Sequence, residues 1–245
     1  MNKRVQDIGM EFMLRGGKRL RPRLCEAVYR RISPDGVGDI GPLMDAVECF
    51  HKASLIHDDI QDSSRTRYGK PSVWVEYGVP LAIAAGDWLL AHGIEMISGS
   101  GFPNSADMSM LAAETLLDLC EGQGDELTGH GEYISICGRK TGSLFALAAG
   151  LGALAAGADP GPYREWGRVY GILFQIADDI RDDGRTSRLV ALKAEFEAKL
   201  SALGIEPLLP AVPTAGSASA KPESAVDGEC ASASSLRAER ERVGE

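Results

Sequence analysis

Two acidic clusters carry the chemistry in this sequence. Asp58-Asp59-x-x-Asp62 and Asp178-Asp179-x-x-Asp182, the second followed directly by Asp183, share one spacing. On a helix, residues three, four and seven apart return to the same face. His51, Leu55, Asp58 and Asp62 therefore share one face, and Gly171, Gln175, Asp178 and Asp182 share another. Carboxylates one turn apart repel by about a few tenths of a kcal/mol per pair. One copy reads equally well as a solvated acidic face or a helix start. Two copies, each following an apolar stretch, point to cations held between the carboxylates and a ligand. Oxygen donors without clustered Cys or His favour Mg²⁺, which typically joins a carboxylate or two to substrate phosphates.

Basic residues supply the other half of such a site. Gly16-Gly17-Lys18-Arg19-Leu20-Arg21-Pro22 sets two flexible glycines before a basic triplet, and Pro22 limits any preceding helix. That segment can wrap an anion, although standing alone it would read as a solvated basic loop. Arg65, Arg67 and Lys70 follow the first cluster, and Lys140-Thr141-Gly142 interrupts a later helical pattern. Together these cations suffice for two diphosphates. The formal net charge of −9 argues against nucleic acid as a partner, because that binding runs on Lys and Arg neutralising phosphates. Metal ions between like charges still let an acidic protein bind anionic diphosphates.

The elements that must position these groups read as helices. Apolar residues recur at helical spacing, as in Leu43, Val47, Phe50, Ser54 and in Leu111, Thr115, Leu119, while alternating patterns are scarce. The expected class is all-α. Turns fall at Ser33 to Gly36, Tyr68 to Pro71, Gly99 to Pro103 and Asp159 to Pro162. One domain is expected over residues 1–206, followed by an Ala-, Ser- and Pro-rich tail at 207–245 whose composition predicts disorder. Five scattered cysteines form no close pair, which fits a reduced, cytoplasmic setting. Asp7 and Glu11 interrupt any apolar leader, so neither signal peptide nor anchor is expected. The weakly polar run from Ser143 to Ala158 is shorter than the about 20 residues a bilayer needs and predicts a core helix, so no transmembrane segment is expected. His57 and His92 read as structural, and Trp74, Trp88 and Trp166 as core or interface residues.

With these motifs the sequence resembles the trans-isoprenyl diphosphate synthases, which include the farnesyl and geranylgeranyl diphosphate synthases. The resemblance runs from Gly16 to about Asp183 through five ordered signatures: the Gly16 to Pro22 loop, His51 through Asp62, Gly86-Asp87, Lys140-Thr141-Gly142, and Phe174-Gln175 through Asp182. It implies the isoprenoid synthase fold, a helical bundle around a central apolar cavity. It further implies condensation of isopentenyl diphosphate with an allylic diphosphate, with release of pyrophosphate. Asp58, Asp62 and Asp178 would hold Mg²⁺ on the allylic diphosphate, supported by Asp59 and Asp182. Arg67, Lys140 and Gln175 would contact that substrate, and Lys18, Arg21 and His51 the diphosphate of isopentenyl diphosphate. Thr141 and Gln175 would turn oxygen dipoles toward the developing carbocation. Members of the family are usually homodimers.

The sequence departs from the family at Tyr68, where a second arginine usually follows the counterpart of Arg67. Tyrosine brings no charge, so weaker binding of isopentenyl diphosphate is expected unless Arg65 substitutes, and Tyr68→Arg should lower its Michaelis constant. Lysines that the family places after the second cluster are not recognisable, with Lys193 the nearest approximation. These departures leave room for a weakly active or inactive homologue serving as a partner subunit. A class I terpene cyclase is the other alternative, although Phe174 through Asp182 does not fit the second metal motif of those enzymes. Product length should be set along the helix before Asp58. Small Ser54 and Ala53 would admit the chain and Phe50 would stop it, which favours a twenty-carbon, geranylgeranyl-type product.

Overall fold

The structure, a computed structural model, describes residues 3–182 and 186–212. Ten α-helices and one short hairpin make up the described chain. The helices are α1 (Val5–Met13), α2 (Leu20–Ile32), α3 (Gly41–Gln61), α4 (Val73–Tyr77), α5 (Val79–Ser98), α6 (Ser105–Thr128), α7 (Tyr133–Cys137), α8 (Ser143–Ala155), α9 (Gly161–Asp182) and α10 (Ser187–Ala202). The architecture is the all-α one that the helical spacing predicts.

Helix α3 is central. It packs against α5 on one side and against α2 and α8 on the other, so it divides the apolar interior into two clusters. Leu43, Ala46, Val47 and Phe50 face the larger cluster, shared with α2, α8 and α9. Cys49, Ala53, Leu55 and Ile56 face the smaller, shared with Ile8 and Phe12 of α1 and Ala82, Ala85 and Leu89 of α5. A helix with core contacts on two faces is buried along most of its length, and α3 carries the charged Glu48, Lys52, Asp58 and Asp59 inside with it.

The run that begins at Ser143 forms α8, buried at every residue from Ser143 to Ala153. Its small residues let neighbouring backbones approach. A Cβ at Gly152 would sit 2.3 Å from the Cys25 carbonyl oxygen of α2, and one at Gly167 of α9 would sit 2.5 Å from the Phe145 carbonyl oxygen. Between α7 and α8 the helix widens into a π-helical turn at Gly138–Gly142. Such turns displace side chains from the regular helical face and recur at functional sites. Lys140-Thr141-Gly142 lies in that turn.

Thr66 pairs with Pro71 and Arg67 with Lys70 in an antiparallel hairpin. Its two-residue turn places Tyr68 (φ 53°) and Gly69 (φ 69°) in the left-handed region, as tight hairpin turns require. Beyond α10 the chain stays packed as far as it is described. Leu209 and Val212 are buried, and the Tyr170 hydroxyl donates to the Pro210 carbonyl at 3.1 Å. Asp183 and residues 213–245 of the expected tail lie outside the described residues.

Candidate active site

The C-terminal turns of α3, the middle of α6, the π-helical turn and α9 enclose a cavity of about 360 Å³. Asp58, Lys140, Thr141 and Gln175 stand among its lining groups, and Phe50, Leu90, Leu116, Leu119 and Leu144 give it apolar walls. A few convergent polar groups over apolar walls describe a small-molecule site. A second, tighter recess adjoins it, lined by Gly17, Lys18, Arg19, Glu48, Tyr68, Asp178 and Arg181. Arg21 and His51 line both spaces, so the two open side by side.

The first acidic cluster divides its labour. Asp58 is buried and lines the cavity. Asp59 is turned inward, where its Oδ1 accepts from Arg67 Nε at 2.9 Å and Nη2 at 2.5 Å. Asp59 is thus the anchor of Arg67, itself buried at 6% exposure. Burial raises the Asp59 pKa against the opposing pull of Arg67. Asp62 closes the helix, and its Oδ1 is buried without a hydrogen-bond partner among the described residues. Burial, then the Asp58 charge, pushes the Asp62 pKa up to about 6, while Lys140 and Arg67 pull the other way.

The second cluster is arranged differently. Asp178 faces the tighter recess and meets Arg181 Nη1 at 2.7 Å, and Asp182 meets Arg181 Nε at 3.2 Å. Asp179 is buried and accepts from Gln175 Nε2 at 2.9 Å and from the Tyr133 hydroxyl at 2.5 Å. Gln175 Oε1 in turn accepts from the Thr141 hydroxyl at 2.8 Å. A buried chain of hydrogen bonds in which each member orients the next fixes both groups. Because Thr141 spends its proton on Gln175, the rest of its oxygen presents lone pairs. Lys140 forms a close ion pair with Glu126, both nearly buried.

In the recess, Arg21 Nη1 donates to His51 Nε2 at 3.4 Å. Burial and then the Arg21, Lys52 and Arg67 charges hold the His51 pKa well below the usual imidazole range. His51 therefore brings hydrogen bonding but no charge. Arg65 lies 5.7 Å from the Trp74 ring centroid and lines neither space. Arg65 is thus directed toward Trp74, and Arg67, held by Asp59, likewise lines neither space. The expectation that Ala53 shapes product length is corrected. Ala53 lies five residues before Asp58, on the side of α3 that packs into the smaller core cluster, whereas Phe50 and Ser54 line the cavity.

Sequence reasoning missed Lys52, Tyr133, Glu126, Asp179 and Arg181 as site residues. The acidic motif contains Asp179 and Arg181, but nothing in the spacing distinguishes an inward carboxylate from an outward one. Glu126 and Lys140 lie on separate elements, so their pairing has no local signature.

A family model described as polyprenyl synthetase matches residues 2–188. The chain belongs to the polyprenyl synthetase family. Family relatives include a short chain isoprenyl diphosphate synthase of Methanocaldococcus jannaschii, 33% identical, with 73% of this chain and 58% of the relative covered. A geranylgeranyl diphosphate synthase of Cereibacter sphaeroides is 34% identical, with 77% and 69% covered. Among solved structures, a polyprenyl synthase from Caulobacter crescentus complexed with calcium and isoprenyl diphosphate has 31% identity and a TM-score of 0.67, covering 75% of this chain and 58% of that one. This family member thus spans 58% of the length of two of these relatives.

The donor set fits the hard divalent cation that the acidic clusters imply. Among the described residues no group of three or more His, Cys, Asp or Glu side chains converges into a ready-made cage. Mg²⁺ needs none, since it keeps waters and takes one or two carboxylates plus substrate phosphate oxygens. Asp62 Oδ1, like Asp59 Oδ2 in the same cluster, is buried without a hydrogen-bond partner among the described residues, which leaves a carboxylate oxygen for a cation. A raised carboxylate pKa means the fold disfavours the ionised form, a cost present above about pH 6 and absent below the ordinary value of 3.8. In metal-free protein, Asp62→Asn should therefore raise Tm at pH 8, and the gain should fade as pH falls from about 6 towards 3.8. Equal melting temperatures at pH 8 would show that the Asp62 charge is not held at a cost.

Proposed function

We propose that the chain condenses isopentenyl diphosphate with an allylic diphosphate to give a longer trans-prenyl diphosphate of geranylgeranyl type, releasing pyrophosphate. The observation that carries this reading is the cavity itself. Its lining sets Asp58, Lys140, Thr141 and Gln175 against apolar walls, and a recess containing Lys18 and Arg21 opens beside it. Two anionic head groups and one apolar chain match that layout.

Asp58 and Asp62 from α3 and Asp178 from α9 would hold Mg²⁺, with Asp182 beside them. The bound cation supplies positive charge to the departing pyrophosphate. Arg67, fixed by Asp59, and Lys140 bind the same allylic diphosphate. As the carbon–oxygen bond breaks, its electron pair leaves with pyrophosphate and an allylic cation remains. The lone pairs of Thr141, oriented through Gln175 and Asp179, face that cation. Preorganised dipoles of this kind stabilise charge as it develops. Lys18 and Arg21 hold isopentenyl diphosphate so that its double bond attacks the cation and forms the new carbon–carbon bond. A proton then passes to the released pyrophosphate, which regenerates the double bond. The apolar walls keep water from capturing the cation.

Incorporation of radiolabelled isopentenyl diphosphate tests the reading, with geranyl and farnesyl diphosphate as co-substrates. Extension of either supports it. Cyclised hydrocarbon without incorporation would favour a terpene cyclase, and no turnover would favour a partner subunit.

Leu81 and Ile83 of α5 and Met110 and Leu117 of α6 are exposed on helices that pack together. Exposed apolar side chains on these two helices support a homodimer through α5 and α6, which sedimentation of the purified chain checks. No helix among the described residues is long and apolar enough to cross a membrane. Cys25, Cys49, Cys120 and Cys137 are free thiols, which supports a cytoplasmic setting.

A further inference from the structure

Lys52 follows His51 on α3 and has no exposed surface. Its ammonium donates to the Arg15 carbonyl, to the Gly16 carbonyl at 3.1 Å and to the Tyr68 hydroxyl at 3.2 Å. It also lies 3.8 Å from Glu48 Oε1 and 4.3 Å from the centroid of the Tyr68 ring. A buried ammonium is costly unless its donors are met, and here several acceptors converge on one lysine. Burial lowers its pKa only to about 8, so the charge persists at neutral pH.

Tyr68 stands between this charge and the recess. The hairpin turn holds it at φ 53°, and its ring lies so close over Gly16 that a Cβ there would meet Cγ at 2.7 Å. Tyr68, Gly17, Lys18 and Arg21 all line the recess. An ammonium has donors only, so the Tyr68 oxygen is the acceptor and its own proton lies off the line to Lys52. A phenol that accepts from a cation is a stronger donor to an anion.

We propose that Lys52 and Tyr68 act as one unit in recognising the diphosphate of isopentenyl diphosphate, with Lys52 supplying the charge and Tyr68 the contact. This rests on the proposed function and deepens it. Lys52 is a positioning residue, reaching the diphosphate through Tyr68 and through the Gly16-Gly17 backbone that it anchors. The charge expected from an arginine at 68 comes instead from the adjacent helix. The expectation that Tyr68→Arg improves binding therefore reverses, because a guanidinium there would face a buried ammonium.

Steady-state kinetics on the full chain, paired with calorimetric titration of isopentenyl diphosphate, decide the matter. Lys52→Met and Tyr68→Phe should each raise the Michaelis constant for isopentenyl diphosphate about tenfold or more, the range of a lost charge-assisted hydrogen bond. The allylic Michaelis constant and kcat should move less than about threefold. Lys52→Met/Tyr68→Phe should be no worse than either single variant. Tyr68→Arg alone should raise the constant, and Lys52→Met/Tyr68→Arg should bring it back to within about threefold of the parent. Melting curves check the fold. Should Lys52→Met not fold, Tyr68→Phe, which deletes one oxygen, carries the test. Michaelis constants within about twofold of the parent in the folded single variants would overturn the unit while leaving the synthase reading intact. A parent chain that neither titrates nor incorporates isopentenyl diphosphate would overturn both.

Discussion

Asp58→Ala and Asp178→Ala are each expected to lower prenyl transfer by on the order of 10²- to 10³-fold, the scale on which removal of one preorganised electrostatic contact acts. The two residues come from different helices, α3 and α9, and from different recesses. Loss of either would remove one of the carboxylates proposed to hold the cation on the departing pyrophosphate. Asp59→Asn is the informative contrast. It disturbs the two hydrogen bonds that fix Arg67, so it should act mainly on the allylic Michaelis constant. Radiolabel incorporation with and without chelator separates these effects, with Mg²⁺ or Mn²⁺ restoring turnover in the parent. Full activity in chelator would sink the metal assignment, and wild-type rates in both alanine variants would sink the choice of ligands.

Periodicity carries far in this chain because helical structure is written locally. The apolar spacing of α3 and α6 predicts helices, and the weakly polar run of α8 a core helix, from residues a few positions apart. The acidic motifs likewise fix which carboxylates share a helix face, because a helix face is determined by spacing alone. What spacing does not fix is which of two adjacent aspartates turns inward. Asp58 and Asp59 are both buried, yet one lines the cavity and the other holds Arg67, a choice made by the hairpin eight residues on. Nor does spacing reveal long-range partners. The pairing of Lys52 with Tyr68 depends on where the hairpin folds back over the Gly16-Gly17 loop. Ala53 shows the same limit in reverse. It is a residue of suitable size near the motif, but the smaller core cluster on the far side of α3 claims it.

Product length should respond most to Phe50. Its ring lines the cavity and on its other side abuts α5, where a Cβ on Gly93 would meet Cε1 at 2.5 Å. The ring is therefore wedged between α5 and the cavity and cannot retreat from a growing chain. Phe50→Ala should lengthen the dominant product by at least one isoprene unit. Loss of a fully buried ring costs about 3–5 kcal/mol, so Phe50→Leu is the milder companion and should shift the distribution the same way. Ser54 stands one turn nearer the acidic rim, about 5.4 Å along the axis. Ser54→Phe should stop elongation earlier and shorten the product. Gly93→Ala should also shorten it, without touching the cavity, by driving the Phe50 ring inward. Ala53→Phe separates this account from one based on helix position alone. It should destabilise the fold by about 1–3 kcal/mol through overpacking and leave the product unchanged, because its side chain enters the smaller core. Chromatography of the dephosphorylated alcohols reads all five variants. An unchanged distribution in both Phe50→Ala and Ser54→Phe would place the floor of the cavity on α6 and α8, at Leu116, Leu119 and Leu144, rather than on α3.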